Sequence, residues 1–149
     1  MDPLSLRELA AARGKGTKKR TRQMKGIRRR GYRAERQLVK KLRALDFSSV
    51  RIPVSAPSSE PLPDVFATKG NSLLAFEVKA PNAEKAYFRK SQIEKLFSFL
   101  DMFEAYDSKS AILAAKFPYK WVFKYIQAPD DYTMRRDEKS NIQLNRISK

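Results

Sequence analysis

The chain has 149 residues, 42% of them hydrophobic, which suits one compact domain with polar extensions. Thirty-two Lys and Arg against sixteen Asp and Glu give a formal charge of +16, an excess that repels itself on folding unless something anionic is bound, so nucleic acid or an anionic membrane is the natural partner. Cysteine and histidine are both absent, which excludes a disulfide framework, a thiolate metal site and any catalytic triad built on imidazole. Catalysis would have to use carboxylates, lysine, hydroxyls or a hard cation such as Mg²⁺ or Mn²⁺. No apolar run approaches the ~20 residues needed to span a bilayer and nothing resembles a signal peptide, so a cytoplasmic protein is expected.

From Met1 to Arg33 there are twelve basic residues against Asp2 and Glu8, a local charge of +10. The segment up to residue 24 reads as a flexible basic arm with at most a short helix, because its few apolar residues cannot form a core. Such runs are commonly solubilising tails; here the run is almost purely cationic and adjoins the candidate site described next, which favours phosphate binding. Order is expected from Gly31, where Ala34, Leu38, Leu42 and Leu45 recur at helical spacing up to about Asp46. Val50, Ile52 and Val54 then alternate as in a half-buried strand, followed by a loop from Pro57 to Pro63. Next, PDVFAT and SLLAFEVKA flank a KGN turn and predict a hairpin. A polar loop after Pro81 leads to a helix from about Ser91, with Ile93, Leu96, Phe97, Leu100 and Phe103 on its apolar stripe. AILAAKF and WVFKYIQA predict two strands joined at Pro118, and residues 129–149 read as a loosely ordered polar tail. Helix, strand, hairpin, helix and two strands indicate an α/β mixed sheet flanked by helices, one domain over residues 25–128.

Side chains alternate across a strand, so Glu77 and Lys79 share a face with Ala75, opposite Leu74, Phe76 and Val78. An acid and a base two residues apart near the end of an apolar strand form either a surface ion pair or a metal site with an adjacent ammonium. Hairpin pairing brings Asp64 toward Glu77, and two converging carboxylates would suit Mg²⁺. Glu35 lies three, four and seven residues before Leu38, Val39 and Leu42, on the apolar stripe of its own helix. It either answers the positive end of that helix or joins the other two acids around one cation.

The stretches RGYRAERQLVKKLRALDF, VRIPVSAP, LPDVFAT and FEVKA resemble the archaeal Holliday junction resolvases, restriction-endonuclease-like nucleases with the PD-(D/E)xK signature. The signature is Pro63-Asp64 followed by Glu77-Val78-Lys79, and the similarity runs from about Lys25 to Ile126. The resemblance implies that Glu35, Asp64 and Glu77 organise a Mg²⁺ site, for which Mn²⁺ can substitute, and that Lys79 assists attack on the phosphodiester. It matches Ser55 to a catalytic serine, Arg36 and Arg51 to residues for junction binding or cleavage, and Gln92 to a site-orienting glutamine. Arg28, Arg29, Arg30 and Arg33 complete the expected DNA-binding set. It further implies branched duplex DNA, especially four-way junctions, as partner, a nucleoid location and a homodimer with two sites. Each residue has a plainer reading: Ser55 as a turn residue, Arg36 and Arg51 as solvated charges, Gln92 as a helix-start residue. The arm before Lys25 and the region after Ala128 do not follow the family pattern. Two other functions remain open, a restriction-like or repair endonuclease on the same fold and a non-catalytic basic DNA-binding protein. The second leaves the acid and lysine constellation unexplained.

Overall fold

A computed structural model describes residues 6–53 and 59–148, and within the first helix the side chains from residue 20 onward. Helix α1 spans Leu6–Ala44, 39 residues. The expected start at Gly31 is therefore corrected: the helix passes through Gly14, Gly16, Gly26 and Gly31 without a break. A single glycine inside a helix costs only about 1 kcal/mol, and the Ala, Leu, Arg, Lys and Gln around these glycines are strong helix formers. The helix closes on Asp46 in the left-handed region (φ 67°), with the Phe47 N–H donating to Leu42 O at 3.1 Å.

Five strands form the main sheet in the order β1-β2-β3-β5-β6: β1 Ser48–Arg51, β2 Val65–Lys69, β3 Ser72–Lys79, β5 Ser108–Phe117 and β6 Lys120–Ile126. All neighbours are antiparallel except β3 and β5, so the sheet is mixed, as the element order predicts. The hairpin turns at Gly70, whose φ of 56° suits a residue without a Cβ. Helix α2, Lys90–Asp101, lies on the crossover between β3 and β5.

Each face of the sheet carries a core. Ala34, Leu38, Val39 and Leu42 of α1 pack on Val65, Ala67, Leu74, Phe76, Val78, Ile112 and Ala114. Ile93, Leu96, Phe99 and Leu100 of α2 pack on Leu73, Ala75, Ala111, Leu113 and Ala115. Burying one such Leu or Ile side chain contributes about 1.5–3 kcal/mol, so α1 is anchored chiefly through its last three turns. Phe99 lies deeper than the expected stripe residues Phe97 and Phe103, which are only partly buried.

Two expectations differ from the structure. In β1 the phase is reversed: Ser49 is buried while Val50 is 45% exposed. The register pairs Arg51 with Val65 and Ser49 with Ala67, which turns Ser49 and Arg51 toward α1. The polar loop after Pro81 and the loosely ordered tail are also more regular than expected. Strands β4, Lys85–Phe88, and β7, Tyr132–Arg135, pair antiparallel as a separate ribbon. Ala86, Phe88 and Met134 from this ribbon join the α2 core, and Leu144 from a 3-10 turn joins the α1 core. Four-residue strands are too short to show a period, which is why the pattern misses them.

Residues 129–148 are thus a structural part of the domain. Met134→Ala is expected to destabilise it by about 2–5 kcal/mol, seen as a lower urea midpoint at unchanged slope. A loss below about 0.5 kcal/mol would place β7 outside the cooperative core.

Candidate active site

Asp64 stands one residue before β2 and is fixed at both ends. Its N–H donates to Phe76 O at 3.0 Å and its carbonyl accepts from Ile52 N–H at 2.9 Å, which locks its backbone between β1 and β3. Its Oδ2 accepts the Val78 N–H at 2.8 Å. The hairpin register pairs Val65 with Phe76, so Asp64 falls opposite Glu77, as the sequence spacing predicts. Glu77 is 9% exposed, and its carboxyl hydrogen-bonds that of Asp64.

A buried carboxyl and a half-buried one in contact cannot both ionise cheaply. Burial, and then the Asp64 charge, push Glu77 up to about 8, with Lys79 opposing the shift. Burial also raises Asp64, offset by the Val78 N–H and by the positive charge of Lys79. Both carboxyls are thus raised, and their titrations are linked.

Glu35 is 8% exposed and reaches the site from α1. Burial raises its carboxyl and the hydrogen bond from Arg51 counters this. Arg51 Nε donates to Glu35 Oε2 in a part-buried ion pair, and its guanidinium carbon lies 4.6 Å from the centre of the Tyr32 ring. The helix-start reading of Glu35 is removed, because roughly eight turns of α1 precede it. Tyr32 is a neighbour the sequence reading missed; its place three residues before Glu35, on the same helix face, is the signal that could have found it.

The structure thus brings together Glu35, Arg51, Asp64, Glu77 and Lys79. Ser55 lies outside the described residues. Gln92 caps its own helix, its Oε1 accepting the Arg89 N–H at 3.3 Å, and it donates to none of the three acids among the described residues. Arg28, Arg29, Arg30, Arg33 and Arg36 are exposed along α1. Arg29, Arg33, Arg36 and Lys40 line a groove of about 540 Å³ with Tyr32.

The donor chemistry fits a hard divalent cation. All candidate ligands are carboxylate oxygens, and Mg²⁺ commonly takes one or two of these and retains several waters. Asp64 and Glu77 are the converging pair; among the described residues no third acid closes a ready-made cage, and Glu35 is held by Arg51. A cation here would replace the proton on Glu77, so binding should release protons and strengthen as pH rises toward 8.

The raised Glu77 also fixes a sign for stability. Between the ordinary value of 4.5 and about 8 the folded chain holds a proton that the unfolded chain has released. Stability is therefore highest below pH 4.5 for this group and is lost as pH rises through that window. In EDTA, the Tm of Glu77→Gln minus that of the parent is expected to become more positive from pH 5 to pH 8.5. A difference independent of pH would mean that Glu77 is ionised throughout.

The family model for the archaeal Holliday junction resolvase (Hjc) matches residues 26–148. The crossover junction endodeoxyribonuclease Hje of Sulfolobus acidocaldarius is 48% identical over 93 residues, which span 61% of this chain and 66% of that protein. The Hje of Saccharolobus islandicus is 40% identical over 115 residues, 76% of this chain and 84% of that protein. The solved structure of Archaeoglobus fulgidus Hjc, a Holliday junction resolvase, aligns with a TM-score of 0.60 at 27% identity, covering 71% of this chain and 88% of that one. A mixed sheet flanked by helices, with the signature acids and lysine at one strand end, is the restriction-endonuclease-like fold, and the chain belongs to the archaeal Holliday junction resolvase family.

Proposed function

We propose that this protein is a Mg²⁺-dependent endonuclease that resolves four-way DNA junctions, acting as a homodimer on nucleoid DNA. The observation that carries the chemistry is the half-buried Asp64 against the buried Glu77 at the end of β3, with Lys79 beside them. Selectivity for junctions follows from family membership, because a fold and a signature specify bond cleavage and not DNA shape. Two active sites related by a twofold axis are the economical way to cut two strands across a branch.

When bound, the divalent cation would supply an activated water and screen charge on the scissile phosphate. Asp64 and Glu77 are the residues that would hold the cation. Asp64 is pre-aimed for this by the Val78 N–H. Lys79, two residues further along the same strand face, places an ammonium where negative charge grows in the transition state. Glu35 would serve as a third ligand or hold a ligating water, and Arg51 orients its carboxylate and favours the charged form against burial. The arginines exposed on α1 would grip phosphates on either side of the cut.

The direct test is cleavage of synthetic four-way, flap and linear duplex DNA with Mg²⁺ and with excess EDTA. Mg²⁺-dependent cutting confined to the junction is expected. Efficient cutting in EDTA, or equal cutting of linear duplex, would overturn the reading. Asp64→Asn and Glu77→Gln should each lower single-turnover cleavage at least ~10²-fold while junction binding persists, and Lys79→Met should lower cleavage far more than binding.

Residues 1–24 are proposed as a basic arm that adds electrostatic affinity without entering the active site. The segment holds seven basic residues against Asp2 and Glu8. Deleting it should weaken junction and duplex binding alike and flatten the salt dependence, by roughly 0.9 in log-log slope per lost phosphate contact. Saturating cleavage should stay nearly unchanged. Loss of junction preference with duplex binding intact would contradict this account.

A further inference from the structure

The β5–β6 hairpin presents an aromatic side chain under conditions that folding alone does not favour. Phe117 pairs with Lys120, so the turn consists of Pro118 and Tyr119 alone. Tyr119 has φ 62° and is 99% exposed. A proline followed by a residue of positive φ is the pattern of a type II turn, in which glycine or asparagine is the favoured second residue. Tyrosine there is strained in its backbone and buries nothing. Asp46, the other described non-glycine residue of positive φ, ends a helix, a place where short polar side chains are accepted.

The scaffold nonetheless holds this turn firmly. Arg136 Nη2 donates to Pro118 O at 3.3 Å while its Nη1 pairs with Glu84 at the same distance. Lys120 Nζ donates to Arg136 O at 2.6 Å and Glu138 O at 3.0 Å. Lys116 Nζ donates to Phe117 O at 3.2 Å. The C-terminal segment thus braces both sides of a two-residue loop.

The turn lies at the end of the sheet that carries the acids. Strands β3 and β5 are parallel with Lys79 opposite Ala115, so Phe117 stands two residues beyond the active-site level, roughly 7 Å along the strand. Allowing for the strand spacing, the tip is roughly 10–15 Å from Lys79, three to four base-pair steps of a duplex. Between them lies a cavity of about 280 Å³ lined by ten residues, among them Arg30 and Arg33 of α1, Asn82, Lys116 and Pro118. Three of the ten are cationic and none is acidic, a path suited to a phosphate backbone.

We propose that Tyr119 is a positioning residue that stacks on a nucleobase opened at the branch point, while Arg30, Arg33 and Lys116 guide the intervening backbone to the acids. The inference rests on the junction-resolving reading above. The braced backbone fixes where the turn stands while the ring, 99% exposed, is open to a base, and in an intact duplex the bases already stack on one another, so the contact would favour branched DNA. The tyrosine hydroxyl has no part in it.

The test uses the full chain and four-way junctions with 2-aminopurine at each position flanking the branch, bound in Ca²⁺ to separate binding from turnover. Position-specific quenching is expected with the parent and with Tyr119→Phe, and is absent in Tyr119→Ala and Tyr119→Gly. In Mg²⁺, single-turnover cleavage should fall about tenfold in the Ala and Gly variants and recover in the Phe variant. Linear-duplex affinity should not change, and the Gly variant should fold at least as stably as the parent by its Tm. Junction cleavage and quenching unchanged in Tyr119→Ala, or Phe behaving like Ala, would overturn the proposal while leaving the resolvase reading intact. A parent protein that cuts no junction would overturn both.

Discussion

A buried carboxyl at the end of one strand, set against a half-buried carboxyl at the start of the neighbouring strand, is the constraint around which this molecule is arranged. Asp64 and Glu77 meet because the β2–β3 register puts them opposite each other, and the low-polarity surroundings make a second negative charge expensive. The chain meets that cost with a backbone N–H on Asp64 and an ammonium at Lys79, and burial raises both carboxyls. Glu35 meets it differently, through Arg51, whose guanidinium in turn rests on Tyr32. The ladder bonds that fix the Asp64 backbone are already made in this arrangement.

The positive charge is distributed with equal economy. Among the described side chains of α1, a helix roughly 58 Å long, it is the last turns that enter the core, through Ala34, Leu38, Val39 and Leu42, and those from residue 20 to Arg33 carry charge at no cost in packing. Arg28, Arg29, Arg30, Arg33 and Arg36 follow one another on exposed positions just before and around Glu35. The same element thus contributes one acid to the site and a cationic approach to it. A polyanion drawn to that surface arrives beside the carboxylates.

The chain's last twenty residues connect the two sides of the domain. β7 completes the ribbon with β4 over the α2 core, and Leu144 closes the α1 core. On the way Arg136 and Glu138 anchor the β5–β6 turn through hydrogen bonds with Pro118 and Lys120. Asp131 Oδ1 accepts the Lys90 N–H at 2.7 Å, placing a negative group at the start of α2 where the helix dipole favours it. A segment that looks polar and irregular is in this way a brace for the hairpin beside the active site.

Much of this was readable from the sequence, because it depends on local periods and short spacings. Alternation placed β2, β3, β5 and β6, the 3.6-residue period placed α2 and the core end of α1, and the twelve residues between Asp64 and Glu77 span a hairpin whose register follows from its tight turn. The position of Glu35 on an apolar stripe was legible for the same reason. Other features were decided only by the tertiary structure. Whether β1 turns Val50 or Ser49 inward depends on register against β2 and on which face α1 covers, not on its own alternation. The β4–β7 ribbon joins strands some fifty positions apart, each too short to have a period. The pairing of Arg51 with Glu35 over Tyr32 unites three residues that appear in sequence as a solvated charge, a helix-stripe acid and an unremarked aromatic. Sequence determines what each residue can do; which charges share a buried space, and so which of them must hold a proton, is fixed only when distant segments close the low-dielectric volume around them.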